Sequence, residues 1–402
     1  MLSVDRAIEA ILARARPLAT VRVPLRSALG ATLAEDARAD IDLPPFDKAL
    51  MDGYAVRSVD LATPGDHRLR VVDEIFAGRT STRELGPGEA ASIMTGAPLP
   101  PGADAVVAVE RARPIDGDGV IVPGPVAPGS NRLERAREMR VGEVVVPRGA
   151  RLRPATLGLL GSTGRFSVEV VPFPSVMVVP TGDELVPVDR RPEAGQIRNT
   201  NSVMLAALAE GWGAKAVAEH PIAPDDPVAL RSILGSGLES DVLLISGGVS
   251  AGLKDLVPAA LLALGVEPVF HKVRIKPGKP LWFGVGPDRG DGPGTLVFGL
   301  PGNPASGLVG FLLFVRPALD ALAGRPDPIP RPTSIPLGAP FRHRGDRPTY
   351  HPSRLEAGRA HPLDWAGSAD LRTVAMADGF AVFPAGDRDF EAGEAVGFLP
   401  LD

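Results

Sequence analysis

Cysteine is absent from the 402-residue chain, and lysine is rare, with six lysines against 37 arginines. Without cysteine there is no disulfide bond, no thiolate metal site and no cysteine nucleophile. The sequence also lacks a GxxxxGK[ST] phosphate loop, an HExxH zinc motif and a GxGxxG turn that opens a helix. Its six histidines, at positions 67, 220, 271, 343, 351 and 361, show no ligand-type spacing. This pattern argues against a histidine metal site.

Charge and hydropathy exclude two further classes of partner. The net charge is −5, so no overall basic field attracts nucleic acid. The N-terminal segment has the periodicity of an amphipathic helix that carries charges, which is not the pattern of a signal peptide. No stretch approaches the length expected of a membrane span. We therefore expect a cytoplasmic protein that binds neither nucleic acid nor membrane.

The most informative stretch is residues 241–306, where three features typical of anion sites follow one another. Residues 242–245 form a short apolar run, which predicts a strand buried on both faces. The run ends in Ser246-Gly247-Gly248, and a helical pattern follows at residues 256–264. A glycine turn between a strand and a helix N-terminus presents backbone N–H groups to an anion.

The second feature is a concentration of lysine, since three of the six lysines are Lys272, Lys276 and Lys279. Lys272, Arg274 and Lys276 alternate, so we predict a strand that carries these cations on one face. Lysine is a compact point charge that suits a phosphate or an oxyanion.

The third feature is the turn Pro301-Gly302-Asn303-Pro304. Asn303 is suited to the N-cap of a helix and Pro304 to its first position. The helix predicted at residues 305–322 is apolar on nearly all sides and should be buried.

The periodicity from residue 174 onward predicts a doubly wound α/β domain. Strand patterns at 176–179, 214–218 and 241–246 alternate with helix patterns, and such sheets bind ligands at the carboxyl ends of their strands. Asp183, Glu184, Asp225, Ser250 and Asp255 fall there or just beyond. Carboxylates beside lysines suggest Mg²⁺ with a phosphate ligand. The alternative for Asp225 and its neighbour Asp226 is helix capping.

The complete chain is expected to be multidomain, with β-rich domains around this α/β domain. We predict a discontinuous N-terminal domain (1–43 and 139–172), an inserted small β-rich domain (44–138), the α/β domain (173–325) and a C-terminal all-β, barrel-like domain (326–402). In the inserted domain, Asp52 precedes a short strand in an Asp-Gly turn, and Thr95 follows another strand.

Six short motifs, in order and over almost the whole chain, resemble the molybdopterin molybdenumtransferase family, called MoeA in bacteria and the E domain of gephyrin in animals. They are Phe46-Asp47 to Met51-Asp52-Gly53-Tyr54-Ala55-Val56, Met94-Thr95-Gly96-Ala97-Pro98, Thr181-Gly182-Asp183-Glu184-Leu185, Ser246-Gly247-Gly248-Val249-Ser250 to Asp255, Lys276-Pro277-Gly278-Lys279-Pro280 and Leu300-Pro301-Gly302-Asn303-Pro304.

The resemblance implies four domains, an elongated homodimer and a Mg²⁺-dependent insertion of molybdate into adenylated molybdopterin that releases AMP. It implies that Asp52 and Thr95 reach the active site across the dimer. The residues it implies at the site are Glu184, Asp225, Asp255, Lys272, Lys276 and Lys279, with Ser306 and Ser368 linked to molybdate binding. From their positions after the strands we add Asp183 as a catalytic candidate. We also add Gly247, Gly248, Ser250, Pro301, Gly302, Asn303 and Pro304 as candidates for binding the substrate. Our hypothesis is that Asp255 and Glu184, with Asp225, hold Mg²⁺, while Lys276, Lys279 and Ser306 bind the oxyanion.

The chain departs from the family pattern at three places. Lys48-Ala49-Leu50 replaces the usual Asn-Ser-Ala, Ala136-Arg137-Glu138 replaces Gly-Glu-Asp, and Pro352 occupies the position of an arginine. Two alternatives remain: a molybdopterin adenylyltransferase-like enzyme on the same α/β domain, and a non-enzymatic scaffold like gephyrin. Transient contact with the adenylyltransferase itself is a further expected interaction.

Overall fold

The computed structural model describes residues 1–249, 256–290 and 293–401, so the predicted site residues Ser250 and Asp255 lie outside the described residues. The chain divides into two compact units. The first comprises Met1–Ala34, Gly149–Arg153 and Ser167–Asp402, and the second comprises Glu35–Arg148 and Pro154–Phe166. The four-domain boundaries given above stay a prediction.

A six-stranded mixed sheet forms the centre of the first unit. Its strands, in spatial order, are Ala216–Glu219, Ser175–Pro180, Val242–Ser246, Leu296–Leu300, Trp282–Val285 and Glu267–His271. The first four run parallel, and the last two extend the sheet in antiparallel fashion. The predicted alternation of strands and helices is confirmed. The first parallel strands follow the spatial order 2-1-3, which creates a topological switch point between Ser175–Pro180 and Val242–Ser246.

Both faces of this sheet are covered, which explains the uninterrupted apolar runs. In the strand Val242–Ser246, Val242 and Leu244 pack into one hydrophobic cluster while Leu243 and Ile245 pack into another. Alternate side chains of a strand point to opposite faces, so a strand with two buried faces needs apolar residues throughout.

The helices of the first unit pack on the sheet, join its strands or pack on other helices. Their bounds are Val4–Leu12, Thr200–Gly211, Pro227–Gly237, Leu256–Ala263, Pro304–Gly310, Arg316–Leu322 and Leu371–Ala375, with a π-helical turn at Phe311–Val315 and a 3₁₀ turn at Leu25–Ala28. The segment Pro304–Leu322 is long and apolar enough to cross a membrane by length and composition, which corrects our statement that no stretch approaches that length. In the structure 89% of its most apolar window is buried, as predicted for a core helix.

The predicted strand of alternating cations is wrong. The chain leaves the sheet after His271, and Lys272 has a positive φ of 77°. The backbone of Lys276 then donates to the Pro348 carbonyl at 2.9 Å and accepts from the Tyr350 N–H at 2.8 Å. The segment therefore pairs locally with the C-terminal sheet and does not form a regular strand of its own.

The C-terminal part of the first unit is β-rich, as predicted. Five antiparallel strands lie in the order Thr333–Pro336, Ala395–Pro400, Gly379–Phe383, Thr349–Glu356 and Arg359–Pro362, and Phe341–His343 pairs with Arg388–Phe390. The remaining strands of this unit are the group Val21–Pro24, Ser167–Val171 and Thr32–Leu33 and the pair Leu185–Val186 and Ile197–Arg198.

The second unit consists mainly of one six-stranded sheet built from short strands. Their order is Ala105–Ala108, Gly53–Val56, Glu89–Ile93, Gly65–Ile75, Gly119–Gly124 and Arg113–Ile115. Two small pairs (Lys48–Ala49 with Arg132–Leu133, and Ala37–Arg38 with Val144–Val146), the helix Pro154–Ser162 and the 3₁₀ turns Ser58–Leu61 and Val109–Arg111 complete it.

Candidate functional site

A cavity of about 460 Å³ lies at the carboxyl ends of three neighbouring parallel strands. Its walls come from the turns that follow Ser175–Pro180, Val242–Ser246 and Leu296–Leu300. The predicted residues among its lining are Glu184, Asp225, Gly247, Gly248, Pro301, Gly302, Asn303 and Pro304. We call this the strand-end cavity. It lies where a doubly wound sheet is expected to bind its ligand.

The glycine turn of the strand-end cavity requires residues without a Cβ atom. Gly247 has φ +93°, and a Cβ on it would lie 2.6 Å from the Thr181 carbonyl oxygen. Gly248 has φ +64°, and its Cβ would lie 2.7 Å from a methyl carbon of Val257. Both the backbone conformation and the close packing exclude larger residues.

Asn201 joins two of the strand ends, a role that the sequence did not reveal. Asn201 does not cap its own helix: the N-cap is Asn199, whose side chain accepts from the Ser202 N–H. The amide nitrogen of Asn201 instead donates to the Ser246 hydroxyl and to the Gly302 carbonyl, both at 2.8 Å. This buried amide holds the glycine turn next to the Pro301–Pro304 turn.

The acidic residues differ in their positions. Glu184 and Asp225 line the strand-end cavity, while Asp183 is outside its lining and accepts from the Asp225 backbone N–H at 3.1 Å. Asp226 accepts from Val228 and Ala229 N–H groups and so is the helix cap. The Asp183 carboxylate thus positions the Asp225 backbone.

The lining of the strand-end cavity includes two carboxylates, Glu184 and Asp225. This donor set fits Mg²⁺, which binds proteins through one or two carboxylates and completes its coordination with phosphate oxygens and water. Among residues 1–249, 256–290 and 293–401, no group of three His, Cys, Asp or Glu side chains could hold a metal. The third predicted ligand, Asp255, falls outside those ranges.

A second cavity, of about 680 Å³, shares Pro280, Pro301 and Asn303 with the first. Its lining includes four predicted residues, Lys276, Lys279, Ser306 and Ser368, and three arginines of the C-terminal sheet region, Arg342, Arg344 and Arg347. We call this the basic cavity. Lysines and arginines from two loops some 70 residues apart in sequence thus line the same cavity. This concentration of positive charge suits a small, highly charged anion.

Asn303 and Ser368 connect two segments that line the basic cavity. Asn303 occupies the N-cap position of its helix, as predicted, but its side chain makes no capping bond. Its amide donates to the Ser368 hydroxyl at 2.8 Å, and the Ala305 N–H donates to the Ser368 carbonyl at 3.1 Å. Ser306 is 3% exposed and lines the cavity.

Lys272 lines neither cavity. Its positive φ turns the chain at the end of the strand Glu267–His271, and its backbone N–H donates to the Leu281 carbonyl at 2.8 Å. Alternation along a strand had grouped it with Lys276, and that grouping disappears because the segment is not a strand.

Sequence reasoning missed the part of the basic cavity that the C-terminal sheet supplies. Three arginines within six positions of Arg342–Arg347 were an available signal, because arginine is suited to anion recognition. His351 and Trp365, which also line this cavity, carried no signal, since isolated aromatic residues in a β-rich segment are typical of a core.

In the second unit, Asp52 and Thr95 are in direct contact. They lie side by side because Gly53, which follows Asp52, pairs with Ile93, two residues before Thr95, in neighbouring antiparallel strands. The Thr95 backbone N–H and hydroxyl both donate to Asp52 Oδ1 at 2.7 Å. These two hydrogen bonds, of which the backbone bond has the larger effect, hold the pKa of the Asp52 carboxyl below its usual value. The resemblance had implied both residues but not their pairing.

Two departures from the family pattern also meet in the second unit. Lys48 Nζ lies 3.8 Å from Glu138 Oε1. Both side chains are part-exposed, so the ion pair adds little stability. Glu138, which replaces the usual aspartate and is one methylene longer, is nevertheless opposite in charge to Lys48, which replaces the usual asparagine.

Sequence profiles of known families match nearly the whole chain. A profile described as the MoeA N-terminal region (domain I and II) matches residues 2–164, one described as a probable molybdopterin binding domain matches 177–321, and one described as the MoeA C-terminal region (domain IV) matches 334–401.

Full-length relatives and solved structures agree with these profiles. The molybdopterin molybdenumtransferase of Staphylococcus aureus (strain N315) is 32% identical over 99% of this chain and 95% of its own length. That of Synechococcus elongatus is 34% identical over 98% of both chains. The crystal structure of the molybdopterin biosynthesis MoeA protein from Pyrococcus horikoshii matches with a TM-score of 0.84 at 32% identity, covering 100% of this chain and 99% of that one.

Proposed function

This chain belongs to the MoeA family of molybdopterin molybdenumtransferases, and on that premise we propose how its two cavities divide the reaction. It is a transferase of molybdenum cofactor biosynthesis. We propose that adenylated molybdopterin occupies the strand-end cavity with its phosphates and that molybdate occupies the basic cavity. The observation that carries this assignment is that the cavities share Pro280, Pro301 and Asn303, so both substrates can meet there.

The strand-end cavity supplies the groups that a nucleotide phosphate needs. Backbone N–H groups of the Gly247-Gly248 turn can bind phosphate oxygens, as in other glycine turns between a strand and a helix. Glu184 and Asp225, with Asp255 as the predicted third ligand, would hold Mg²⁺. When bound, that ion would offset phosphate charge as the phosphoanhydride of the adenylate is cleaved.

The basic cavity supplies cations and hydroxyl groups for molybdate. Lys276 and Lys279 offer charge, and Ser306 and Ser368 offer hydroxyl groups that fix the orientation of a tetrahedral oxyanion. Reactions at phosphate and oxyanion centres depend mainly on charge stabilisation and positioning, which this arrangement provides.

The remaining assignments also belong to the proposal. Asp52 and Thr95, on the second unit, would complete the active site of a partner copy in a homodimer, as the resemblance implies. The Thr95 hydrogen bonds keep Asp52 ionised and fixed in orientation, which suits a carboxylate that serves a neighbouring site. The proposal also includes a cytoplasmic location and transient contact with the adenylyltransferase.

The test is AMP release by purified protein incubated with adenylated molybdopterin, with and without molybdate and Mg²⁺. We expect release that requires both, together with transfer of molybdenum to the pterin, measured by mass spectrometry. Light scattering on the same sample reports the oligomeric state, for which we expect a dimer.

Two outcomes would favour the alternatives. Formation of an adenylated pterin from molybdopterin and ATP without molybdate would indicate an adenylyltransferase. No turnover under any condition would indicate a scaffold. The extra domains around the α/β domain favour the molybdenumtransferase, because they supply Arg342, Arg344 and Arg347 to the basic cavity.

A further inference from the structure

The basic cavity is rich in hydrogen-bond donors and poor in groups that can take up a proton. Among the described residues that line it there are lysines and arginines but no carboxylate. Among the described lining residues, the side chains suited by type to take up a proton near neutral pH are two histidines, His343 and His351,. Few side chains in this cavity could therefore accept a proton released by a substrate.

The two histidines differ in their free hydrogen-bonding capacity. Both nitrogens of His343 are used: Nδ1 lies 2.8 Å from the Gly386 carbonyl and Nε2 lies 2.8 Å from the Thr349 hydroxyl. His351 uses only Nε2, which lies 2.8 Å from the Leu363 carbonyl. Its Nδ1 makes no hydrogen bond with any described residue, and the ring lines the basic cavity, so Nδ1 is the nitrogen left for a ligand.

The single hydrogen bond of His351 determines its tautomer. A carbonyl oxygen only accepts, so Nε2 must carry the proton and Nδ1 of the neutral ring is an acceptor. The ring is fixed by edge-on contacts with Phe341, at 4.8 Å between centroids, and with Trp365, at 5.5 Å. The imidazole is therefore held in one orientation with a lone pair available.

Burial, more than the neighbouring charges, favours the neutral form of His351. Burial lowers its pKa most, the hydrogen bond to the Leu363 carbonyl raises it, and Lys276 and His343 lower it while Asp364 raises it. The net effect is a pKa below the ordinary value of 6.5. The lone pair is thus present at neutral pH, when the base is needed.

We propose that His351 is a catalytic base of molybdenum insertion, with Nδ1 accepting the protons that leave the dithiol of the pterin substrate. This inference rests on the proposed function, which brings the ene-dithiol of molybdopterin to the molybdate in the basic cavity. It assigns a proton-transfer role to a residue of the C-terminal sheet.

The step is balanced without any further reactant. As molybdate reacts, both S–H bonds break, two Mo–S bonds form and one Mo–O bond breaks. His351 Nδ1 takes the proton of each thiol in turn and passes it to the departing oxygen, which leaves as water. The product is a trioxo molybdenum dithiolate with the same charge as molybdate, and molybdenum is neither oxidised nor reduced. Histidine ends each cycle neutral.

The decisive variant is His351→Gln, whose amide can donate to the Leu363 carbonyl and offer an acceptor but cannot take up a proton. We expect kcat to fall about a hundredfold, with little change in the KM for molybdate. In the wild type, kcat/KM should fall as the pH decreases through the depressed pKa of His351, because the protonated ring is no longer a base. His351→Gln should lack this acidic limb.

A second variant and a matched control separate the base from a structural role. His351→Gly with added imidazole should regain activity in proportion to unprotonated imidazole. His361→Gln changes a histidine of the neighbouring strand that lines neither cavity, and it should keep both the rate and the acidic limb.

The outcomes are distinguishable. A His351→Gln enzyme that keeps its rate, or one that loses rate but keeps the acidic limb while His351→Gly is not rescued, overturns the base role. An inactive wild type would instead contradict the proposed function itself, because it would leave nothing for His351 to assist.

Discussion

The two cavities of the first unit are built from different materials. The strand-end cavity is made mainly of backbone and of turns that directly follow sheet strands, so its shape depends on Gly247 and Gly248. The basic cavity is made of side chains from segments about 70 residues apart, Lys276–Lys279 and Arg342–Arg347. The first is sensitive to steric change and the second to loss of charge. The two cavities share Pro301 and Asn303 at their border, which is the basis of the proposal that both serve one reaction.

The largest expected effect tests whether the strand-end cavity depends on backbone shape. Gly247→Ala should lower the free energy of unfolding by about 3 kcal/mol, since φ +93° is unfavourable for alanine and its Cβ would lie 2.6 Å from the Thr181 carbonyl oxygen,. Urea unfolding followed by tryptophan fluorescence measures it, because Trp212, Trp282 and Trp365 all belong to the first unit.

Gly265→Ala is the matched control for this steric test. Gly265 also has a positive φ, of 80°, but a Cβ there would meet nothing within 4 Å. It should cost only the conformational part, about 1 kcal/mol. Equal losses in the two variants would show that packing against Thr181 contributes nothing.

The next effect tests the metal at the strand-end cavity. Glu184→Gln removes one carboxylate ligand and should raise the Mg²⁺ concentration for half-maximal activity about a hundredfold. The affinity for molybdate, measured by calorimetry, should not change. Glu193→Gln alters an exposed acid outside the lining of either cavity and should leave both values unchanged. If Glu184→Gln also weakened molybdate binding, the separate roles proposed for the two cavities would be wrong.

The smallest expected effect tests the basic cavity. Lys279→Ala removes one of several cations, so the dissociation constant for molybdate should rise about tenfold. The Mg²⁺ requirement should stay the same. Lys215→Ala removes a lysine that lies over the Phe173 ring and lines neither cavity. If Lys279→Ala binds molybdate as tightly as Lys215→Ala does, the oxyanion role of Lys279 is wrong.

The same contrast explains which parts of the site were predictable. Gly247, Gly248 and Pro301 to Pro304 lie directly after strands, and a strand followed by a turn is a local pattern that a sequence displays. The predicted strand through Lys272 and Lys276 failed because local alternation does not show that Lys276 pairs with the C-terminal sheet at Pro348 and Tyr350. His351 and Asn201 gave no signal, since their roles depend on groups distant in sequence.

By itself, the sequence determined the alternation of strands and helices, the buried helix Pro304–Leu322, the glycine turn at the strand ends and the family. Each of these depends on contacts between near neighbours or on an ordered set of motifs. Only the tertiary structure decided that Ser306 and Ser368 share a cavity with three arginines and that Asp183 supports Asp225. It also decided that His351, unlike His343, has a ring nitrogen without a hydrogen bond to any described residue. Hydrogen bonds and contacts between charged groups of distant segments form only when the chain has folded, so no local sequence pattern encodes them.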